Sequence, residues 1–263
     1  MDLQLSKKIA LVTGSTAGIG NAIATSLARE GASVIVSGRT PAAVQSAVAA
    51  MRAQTQGDVS GFAGDLSVAS VAQALLREHP QVDVLVNNLG IFEVRPFEEI
   101  ADEDWRRFFD VNVLSGARLA RLYLPEMRKR NWGRIIFISS ESAYHIPAEM
   151  IHYGMTKAAQ IAVARGLAET TAGSGITVNS VLAGPTRSRG VGDFVTAMAA
   201  KTGQSAQTVE REFFKTARPT SLLQRFATPE EVAALVSYVA SPLSSATNGA
   251  ALRVDGGTIK SAF

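Results

Sequence analysis

Apolar runs and amphipathic stretches alternate along the whole chain. The short runs are rich in β-branched residues, which is typical of strands buried on both faces of a parallel sheet. The longer stretches are typical of helices that cover such a sheet. The pattern predicts strands near residues 8–13, 33–37, 59–63, 83–87, 133–139, 176–181 and 250–254. It predicts helices that begin near residues 18, 41, 67, 103, 151 and 228.

Residues 184–225 break this alternation as one irregular region. The region follows the sixth predicted strand and is longer than the connection of about 2–6 residues usual between a strand and a helix. Because open parallel sheets bind ligands beyond the carboxyl ends of their strands, we expect residues 185–225 to form a substrate lid. A packed surface insertion is the alternative. No other segment interrupts the pattern, so we expect one domain over residues 1–263.

The composition narrows the class of function. Hydrophobic residues make up 46% of the chain, enough for a core on both faces of a sheet. The 26 basic and 23 acidic residues are interspersed and sum to +3, which favours a small-molecule enzyme over a nucleic-acid binder. The chain has no cysteine, and its three histidines are scattered, so we expect no metal site.

The sequence also indicates a location. No apolar stretch approaches the roughly 18 residues needed to span a bilayer, and residues 1–4 do not begin a secretory signal. We therefore expect a cytoplasmic protein without a membrane partner.

A glycine-rich loop follows the first predicted strand and leads into the first helix. Glycines there permit a tight turn and bring a pyrophosphate close to the N–H groups at the start of a helix. The candidate cofactor-binding residues in the loop are Gly14, Ser15, Thr16, Gly18, Ile19 and Gly20. A tight turn that binds no ligand is the alternative.

The fourth predicted strand ends in Asn87-Asn88-Leu89-Gly90. Asparagine side chains at such a position can hydrogen-bond the backbone of a neighbouring loop, and a glycine leaves room for a cofactor. Asn88 and Gly90 are therefore candidate cofactor-binding residues. An ordinary turn is the alternative.

Ser140, Tyr153 and Lys157 form a third candidate group. Tyr153 and Lys157 are four residues apart in a predicted helix and so share one face. An ammonium beside a phenol favours the phenolate and would lower the pKa of the tyrosine from about 10. A tyrosine packed under a lysine stem, without chemistry, is the alternative.

Taken together and in order, these motifs resemble those of the short-chain dehydrogenases/reductases. The resemblance runs from Lys8 to about Gly257 and includes Asn112 and the Asp255-Gly256-Gly257 turn after the last strand. It implies a single Rossmann-like α/β domain, with helices on both faces of a doubly wound parallel sheet of seven strands.

The resemblance also implies a catalytic group of Asn112, Ser140, Tyr153 and Lys157. Tyr153 would exchange a proton with the substrate oxygen while a nicotinamide exchanges hydride, and Ser140 would hold the same oxygen by a hydrogen bond. Lys157 would bind the nicotinamide ribose and lower the tyrosine pKa. Asn112 would anchor a water that connects Lys157 to solvent. Ser139 points to the opposite face of the strand from Ser140.

The family likeness adds further expectations. The remaining candidate cofactor-binding residues are Asp65, Leu66, Gly184, Pro185 and Thr186. A homotetramer built on the helices near 103–129 and 151–172 is expected. The chain departs from the family at Leu89, where an alanine is usual, and at Ala183, where a proline is usual. We expect Leu89 to crowd the side of the site that holds the cofactor and Ala183 to loosen the start of the lid.

The expected cofactor is NADP(H). In dinucleotide folds an acidic residue at the end of the second strand binds the adenosine ribose, and its charge would repel a 2′-phosphate. Here that position is Gly38, and the Arg39 guanidinium that follows can pair with the phosphate. An arginine that merely solvates a turn is the alternative, since Ala17 stands where many NADP-preferring relatives have a second basic residue.

The sequence leaves the substrate open. Residues 185–225 combine apolar side chains such as Phe194, Phe213 and Phe214 with a basic excess, which suits a hydrophobic ketone or an anionic thioester. A 3-oxoacyl thioester is the leading substrate because that activity is common in the family. The alternatives are a non-catalytic dinucleotide-binding sensor or subunit, and a nucleotide-sugar epimerase or dehydratase.

Overall fold

Seven parallel strands form one sheet in the order β3-β2-β1-β4-β5-β6-β7. A computed structural model describes residues 1–262, apart from the side chains at positions 189, 190, 193 and 194. The strands are β1 (Ile9–Val12), β2 (Ser33–Gly38), β3 (Val59–Ala63), β4 (Val84–Asn87), β5 (Gly133–Ser140), β6 (Ile176–Ala183) and β7 (Ala251–Val254). The sequence prediction of a seven-stranded parallel sheet is confirmed.

Helices connect the strands. They are α1 (Gly18–Arg29), α2 (Pro41–Thr55), α3 (Ala69–Glu78), α4 (Asp102–Phe109), α5 (Ser115–Arg130), α6 (Ile151–Glu169), α7 (Arg189–Thr202), α8 (Ala206–Thr216) and α9 (Pro229–Ala240). Short 3₁₀ turns span Phe97–Glu99, Glu141–Ala143, Ala148–Met150 and Pro242–Ser244. The helices predicted to begin near residues 41 and 228 are capped, since Thr40 and Thr228 accept hydrogen bonds from the first turns of α2 and α9. No helix within the described range combines the length and apolar character needed to cross a membrane.

Helices cover both faces of the sheet, as the sequence pattern predicts. On one face, residues of α1, α2 and α9 pack against the strands, with Ile23, Met51 and Val236 among the buried side chains. On the other face, α3, α5 and α6 contribute a second apolar layer that includes Leu75 and Tyr123. Because the central strands β4, β5 and β6 are buried along their whole length, most of their side chains are apolar at consecutive positions rather than alternating ones.

Two local predictions were incomplete. Residues 184–225 are not irregular throughout, since they contain α7 and α8, which pack around their own small apolar cluster of Val195, Val209 and Phe214. The helix expected near residue 103 is also interrupted, because a π-helical turn over Asp110–Leu114 joins α4 to α5. The lid helices are as long as α1 and α3, and α8 is amphipathic, so their sequence carried a signal that the prediction missed. The π-helical turn has no such signal, because it depends on tertiary contacts.

The strand order determines where a ligand can bind. The chain proceeds outward from β1 through β2 to β3, and then returns to place β4 on the other side of β1. The loops after β1 and β4 therefore diverge and leave a crevice at the carboxyl edge of the sheet. The glycine-rich loop, Asn88, Ser140 and Gly184 all follow or end strands at this edge.

Candidate active site

The glycine-rich loop is held against β2 by hydrogen bonds. Ser15 N donates to Ser37 O over 2.9 Å, and Gly14 N donates to Ser37 Oγ over 3.2 Å. The Ser15 hydroxyl is buried, donates to Val12 O over 2.6 Å and accepts from Ser37 N. Ser15 therefore shapes the loop from inside, and its side chain has no free group to offer a ligand.

Asn88 ties the same loop to β4. Its side-chain amide donates to Thr13 O over 2.9 Å and to Gly14 O over 3.1 Å. The Thr13 hydroxyl accepts from the backbone N–H groups of Asn88 and Leu89. Asn88 thus fixes the loop as its residue type predicts.

The start of α1 suits a pyrophosphate. Gly14 and Gly18 have φ angles of 61° and 58°, which a residue with a Cβ rarely adopts. The N-cap, Ala17, makes no side-chain hydrogen bond to the first turn. The first N–H groups of α1, around Ile19 and Gly20, are therefore left for an anion, which the helix dipole also favours.

The turn after β2 explains the glycine at position 38. A Cβ on Gly38 would lie 2.5 Å from Cγ2 of Thr16 in the glycine-rich loop, so a larger residue would displace that loop. Arg39 is exposed and has no ion-pair partner among the residues that the structure describes. The guanidinium is available to a ligand that lies along the loop.

The remaining cofactor candidates also lie at this edge. Leu66 is buried in the core and Asp65 caps its own turn by accepting from the N–H and hydroxyl groups of Ser67, so neither side chain points to the cavity described next. Gly184, Pro185 and Thr186 line that cavity. A Cβ on Gly184 would lie 2.6 Å from Asp255 O, so close packing against the turn after β7 requires glycine there.

A cavity of about 500 Å³ opens at the carboxyl edge between the strand ends and residues 185–226. Ser140, Tyr153 and Lys157 lie on one wall. Much of the remaining wall is apolar and includes Phe92, Val94, Met150, Val191 and Phe213. The cavity therefore brings three of the four predicted catalytic side chains together in a largely apolar pocket.

The two neighbouring serines have different partners. Ser139 Oγ donates to Lys157 O over 2.8 Å, which fixes α6 to β5. Ser140 lies beside the Tyr153 phenol and lowers the pKa of that group. Ser139 thus has a structural partner, whereas Ser140 is the serine next to the phenol.

Burial decides the protonation of the Tyr153–Lys157 pair. It raises the pKa of Tyr153 to about 12, against the lowering by Ser140 and by Arg218, and it lowers the pKa of Lys157 to about 8. The expected fall in the tyrosine pKa is therefore not seen in the chain alone. The reason is that burial of the phenol penalises the charged phenolate by more than the neighbouring groups favour it.

Asn112 is buried in the π-helical turn and does not reach the cavity wall. Its side chain accepts from Ile91 N over 2.8 Å and donates to Ile91 O and to Thr156 Oγ1. Gln160 Nε2 donates to the Asn112 carbonyl oxygen over 2.6 Å. Asn112 therefore anchors the loop after β4 to α6.

Two residues beside Ser140 had not been singled out from the sequence. Glu141 is buried, accepts from Ser140 Oγ over 2.8 Å, and forms an ion pair of 2.7 Å with Nε of Arg218. Arg218 follows α8, so this buried pair joins residues 185–225 to the end of β5. An acidic residue directly after the candidate serine was the available signal.

The basic excess of residues 185–225 is largely neutralised. Arg187 pairs with Glu210, Lys215 with Glu212, and Arg225 with Glu231. Phe213, Phe214 and Phe226 pack against one another, and Phe213 also lines the cavity. The side chain of Phe194 lies outside the described residues.

Leu89 and Ala183, the two residues that depart from the family pattern, lie in different environments. Leu89 packs against the apolar layer of α3, α5 and α6 and does not line the cavity, whereas Ala183 does. In the described part of the chain, no three or more histidine, aspartate or glutamate residues cluster as a metal site. His152 packs against Phe108 at a ring distance of 4.0 Å, and burial lowers its pKa.

Comparison with known proteins identifies the family. A family model described as "Enoyl-(Acyl carrier protein) reductase" matches residues 14–258. The uncharacterized oxidoreductase YvaG of Bacillus subtilis is 46% identical over 264 residues, covering 100% of both chains. The D-beta-hydroxybutyrate dehydrogenase of Cupriavidus necator is 34% identical over 260 residues, covering 97% of this chain and 99% of that protein.

The fold has close relatives among solved structures. The L-sorbose reductase of Gluconobacter frateurii, solved with NADPH and L-sorbose, superposes with a TM-score of 0.93 at 29% identity. The match covers 99% of this chain and 100% of that one. The chain belongs to the short-chain dehydrogenase/reductase family and is an oxidoreductase of that family.

The buried ion pair gives the first prediction. Arg218→Met should lower the free energy of unfolding by about 3–5 kcal/mol, because it leaves the Glu141 carboxylate buried and unpaired. Denaturant unfolding followed by circular dichroism measures the loss. The control is Arg187→Met, which breaks an exposed pair and should cost less than about 1 kcal/mol.

A double variant distinguishes the ion pair from simple packing. Glu141→Gln combined with Arg218→Met should recover part of the stability, because no unpaired charge remains buried. Equal losses in Arg218→Met and the double variant would show that the pair contributes nothing specific.

Proposed function

We propose that this protein is an NADP(H)-dependent oxidoreductase that interconverts a carbonyl and a secondary alcohol, with Tyr153 as general acid and base. The observation that carries the proposal is the placement of Ser140, Tyr153 and Lys157 on one wall of an apolar cavity beside the glycine-rich loop. A non-catalytic sensor would have no need for a tyrosine, a lysine and a serine at one wall of a substrate-sized cavity.

The chain provides a fitting cofactor site. The N–H groups around Gly18, Ile19 and Gly20 would hold the pyrophosphate, and Arg39 would pair with the 2′-phosphate of NADP(H). Lys157 would bind the nicotinamide ribose. Gly90 leaves space beside this group, since a Cβ built on Gly90 would lie 3.6 Å from Lys157 Nζ. When bound, NADP(H) supplies or accepts the hydride.

Tyr153 carries the proton chemistry in this proposal. In reduction its hydroxyl donates a proton to the carbonyl oxygen, and in oxidation the phenolate takes the proton of the alcohol. The Lys157 ammonium stabilises the phenolate that reduction forms, and Ser140 orients the substrate oxygen. Asn112 acts indirectly, since its hydrogen bonds hold α6 and the loop after β4 in place.

The cavity favours a substrate whose part near Tyr153 is uncharged and largely apolar. Its walls carry Phe92, Met150 and Phe213, and the buried charges of Glu141 and Arg218 are paired with each other. Because the lid's basic residues are mostly in ion pairs, we place a small ketone before an acyl carrier as the substrate. A 3-oxoacyl thioester is the second candidate, supported by 31% identity to the 3-oxoacyl-[acyl-carrier-protein] reductase FabG of Aquifex aeolicus.

The remaining expectations are part of the same proposal. Residues 185–225 would close over the substrate as a lid within a single domain of 1–263. The protein would be cytoplasmic and would assemble as a homotetramer. These points rest on the family likeness and on the position of α7 and α8 beside the cavity.

Tyr153→Phe tests the proposed chemistry. It should lower kcat by at least about 10²–10⁴-fold, because it removes the transferable proton and little volume. NADPH affinity, measured by fluorescence titration, should remain close to wild type. The substrate panel contains small ketones, sugars, steroids and 3-oxoacyl thioesters, and Tyr144→Phe, an exposed tyrosine, is the control.

Two outcomes would contradict the proposal. Wild-type protein that binds NADPH yet reduces nothing in the panel would favour a sensor. Tyr153→Phe with more than a small fraction of wild-type kcat would assign the proton transfer to another group.

The pH dependence of the wild-type protein tests Lys157. Its ammonium form is present below its pKa of about 8 and is lost above it. The value of kcat/KM for NADPH titrates the free enzyme and should therefore fall above about pH 8. A profile that stays flat to pH 10, with the fold shown intact by thermal unfolding, would exclude this role for Lys157.

Arg39 tests the cofactor preference. Arg39→Leu should reduce the kcat/KM ratio of NADPH to NADH by about one to two powers of ten, because it removes a charged pair worth about 1.5–3 kcal/mol. Arg39→Asp should reduce it further by repelling the phosphate. Gly38 is left unchanged, since a Cβ there would strike Thr16.

The control for this pair of variants is Arg29→Leu, at the exposed end of α1. It removes the same charge from the chain without touching the loop. An unchanged preference in Arg39→Asp would show that the 2′-phosphate is not bound at this turn.

A further inference from the structure

Gln160 is a buried amide one turn beyond Lys157 on α6. It is 1% exposed and interrupts an apolar run, Ala158, Ala159, Ile161, Ala162 and Val163. A buried amide costs free energy unless its groups are hydrogen-bonded. Both the oxygen and the nitrogen of the Gln160 amide form hydrogen bonds, which an apolar residue at this position could not do.

The oxygen of the amide binds the candidate catalytic lysine. Lys157 Nζ donates to Gln160 Oε1 over 3.2 Å and to Ile138 O over 2.9 Å. The same nitrogen lies 5.6 Å from the centre of the Tyr153 ring. Gln160 and Ile138 therefore occupy two donors of the ammonium, and the third is left for Tyr153 or a ligand in the cavity.

The nitrogen of the amide binds Asn112. Gln160 Nε2 donates to Asn112 O over 2.6 Å, while the Asn112 side chain is occupied by Ile91 and Thr156. The family likeness had led us to expect a water between Asn112 and Lys157. The Gln160 side chain spans these same two residues by itself.

We propose that Gln160 is a positioning residue that joins Lys157 directly to Asn112 and holds the ammonium toward Tyr153. This inference rests on the proposed role of Tyr153 as acid and base.

The charges around the pair are few. Tyr153 faces Lys157 on its own helix, Glu141 after β5 and Arg218 after α8, and Glu149 lines the same cavity. Glu141 and Arg218 are paired with each other. For Lys157, burial is the cause of its lowered pKa, so the Gln160 oxygen is the side-chain acceptor that supports its charged form.

The test removes the amide in two ways. Gln160→Met keeps the length without a strong acceptor, and Gln160→Ala leaves room for a water. The control is Val163→Ala, on the same helix and packed against the apolar layer away from Lys157. The pKa of Lys157 is read from its ¹³Cε NMR signal, assigned by the loss of that signal in Lys157→Arg.

Gln160→Met should lower the Lys157 pKa by about one unit, the loss expected for one charge-assisted hydrogen bond. It should reduce kcat about tenfold and move the high-pH fall of kcat/KM for NADPH to lower pH. Gln160→Ala should lower the pKa less, because a water can enter the vacated space and accept the hydrogen bond that the amide oxygen accepted.

Wild-type values of the Lys157 pKa in both variants, or an equal shift in Val163→Ala, would overturn the inference. The NMR titration needs no substrate, so it tests the link between Gln160 and Lys157 even if the proposed oxidoreductase activity fails.

Discussion

The site depends on keeping one ammonium group buried. Lys157 is 5% exposed, and a buried charge persists only where hydrogen-bond acceptors replace its water. The backbone of β5 and the amide of Gln160 supply these acceptors, and Ser139 holds the lysine's own carbonyl. Helix α6, strand β5 and the π-helical turn around Asn112 are thus bound to one another through groups that surround a single charge.

The same edge of the sheet is joined by a second set of hydrogen bonds. Asn88 and Thr13 hold the glycine-rich loop to β4, while Ser37 holds it to β2. The loop is therefore rigid before any cofactor binds, which limits the entropy lost on binding. The Glu141–Arg218 ion pair joins the end of β5 to the segment after α8. The position of the lid is therefore linked to the surroundings of Ser140.

Much of this could be predicted from the sequence. Strands buried on both faces have near-continuous apolar runs, and this local pattern determined the seven strands and most helices. The site motifs are also local, since Gly14 to Gly20, Asn88 and the Tyr153–Lys157 spacing each lie within one turn or helix. Their chemistry follows from residue type, and their common location follows from the parallel order of the strands.

Only the tertiary structure decided the partners of these groups. Glu141 and Arg218 are 77 positions apart, and Gln160 and Asn112 are 48 apart, so no periodicity or spacing connects them. The protonation of Tyr153 and Lys157 likewise depended on burial, which reversed the shift expected for the tyrosine. The sequence by itself determined which groups could do the chemistry, because residue type and local spacing are written along the chain. The fold decided which groups meet and how much water reaches them, because both depend on packing between distant segments.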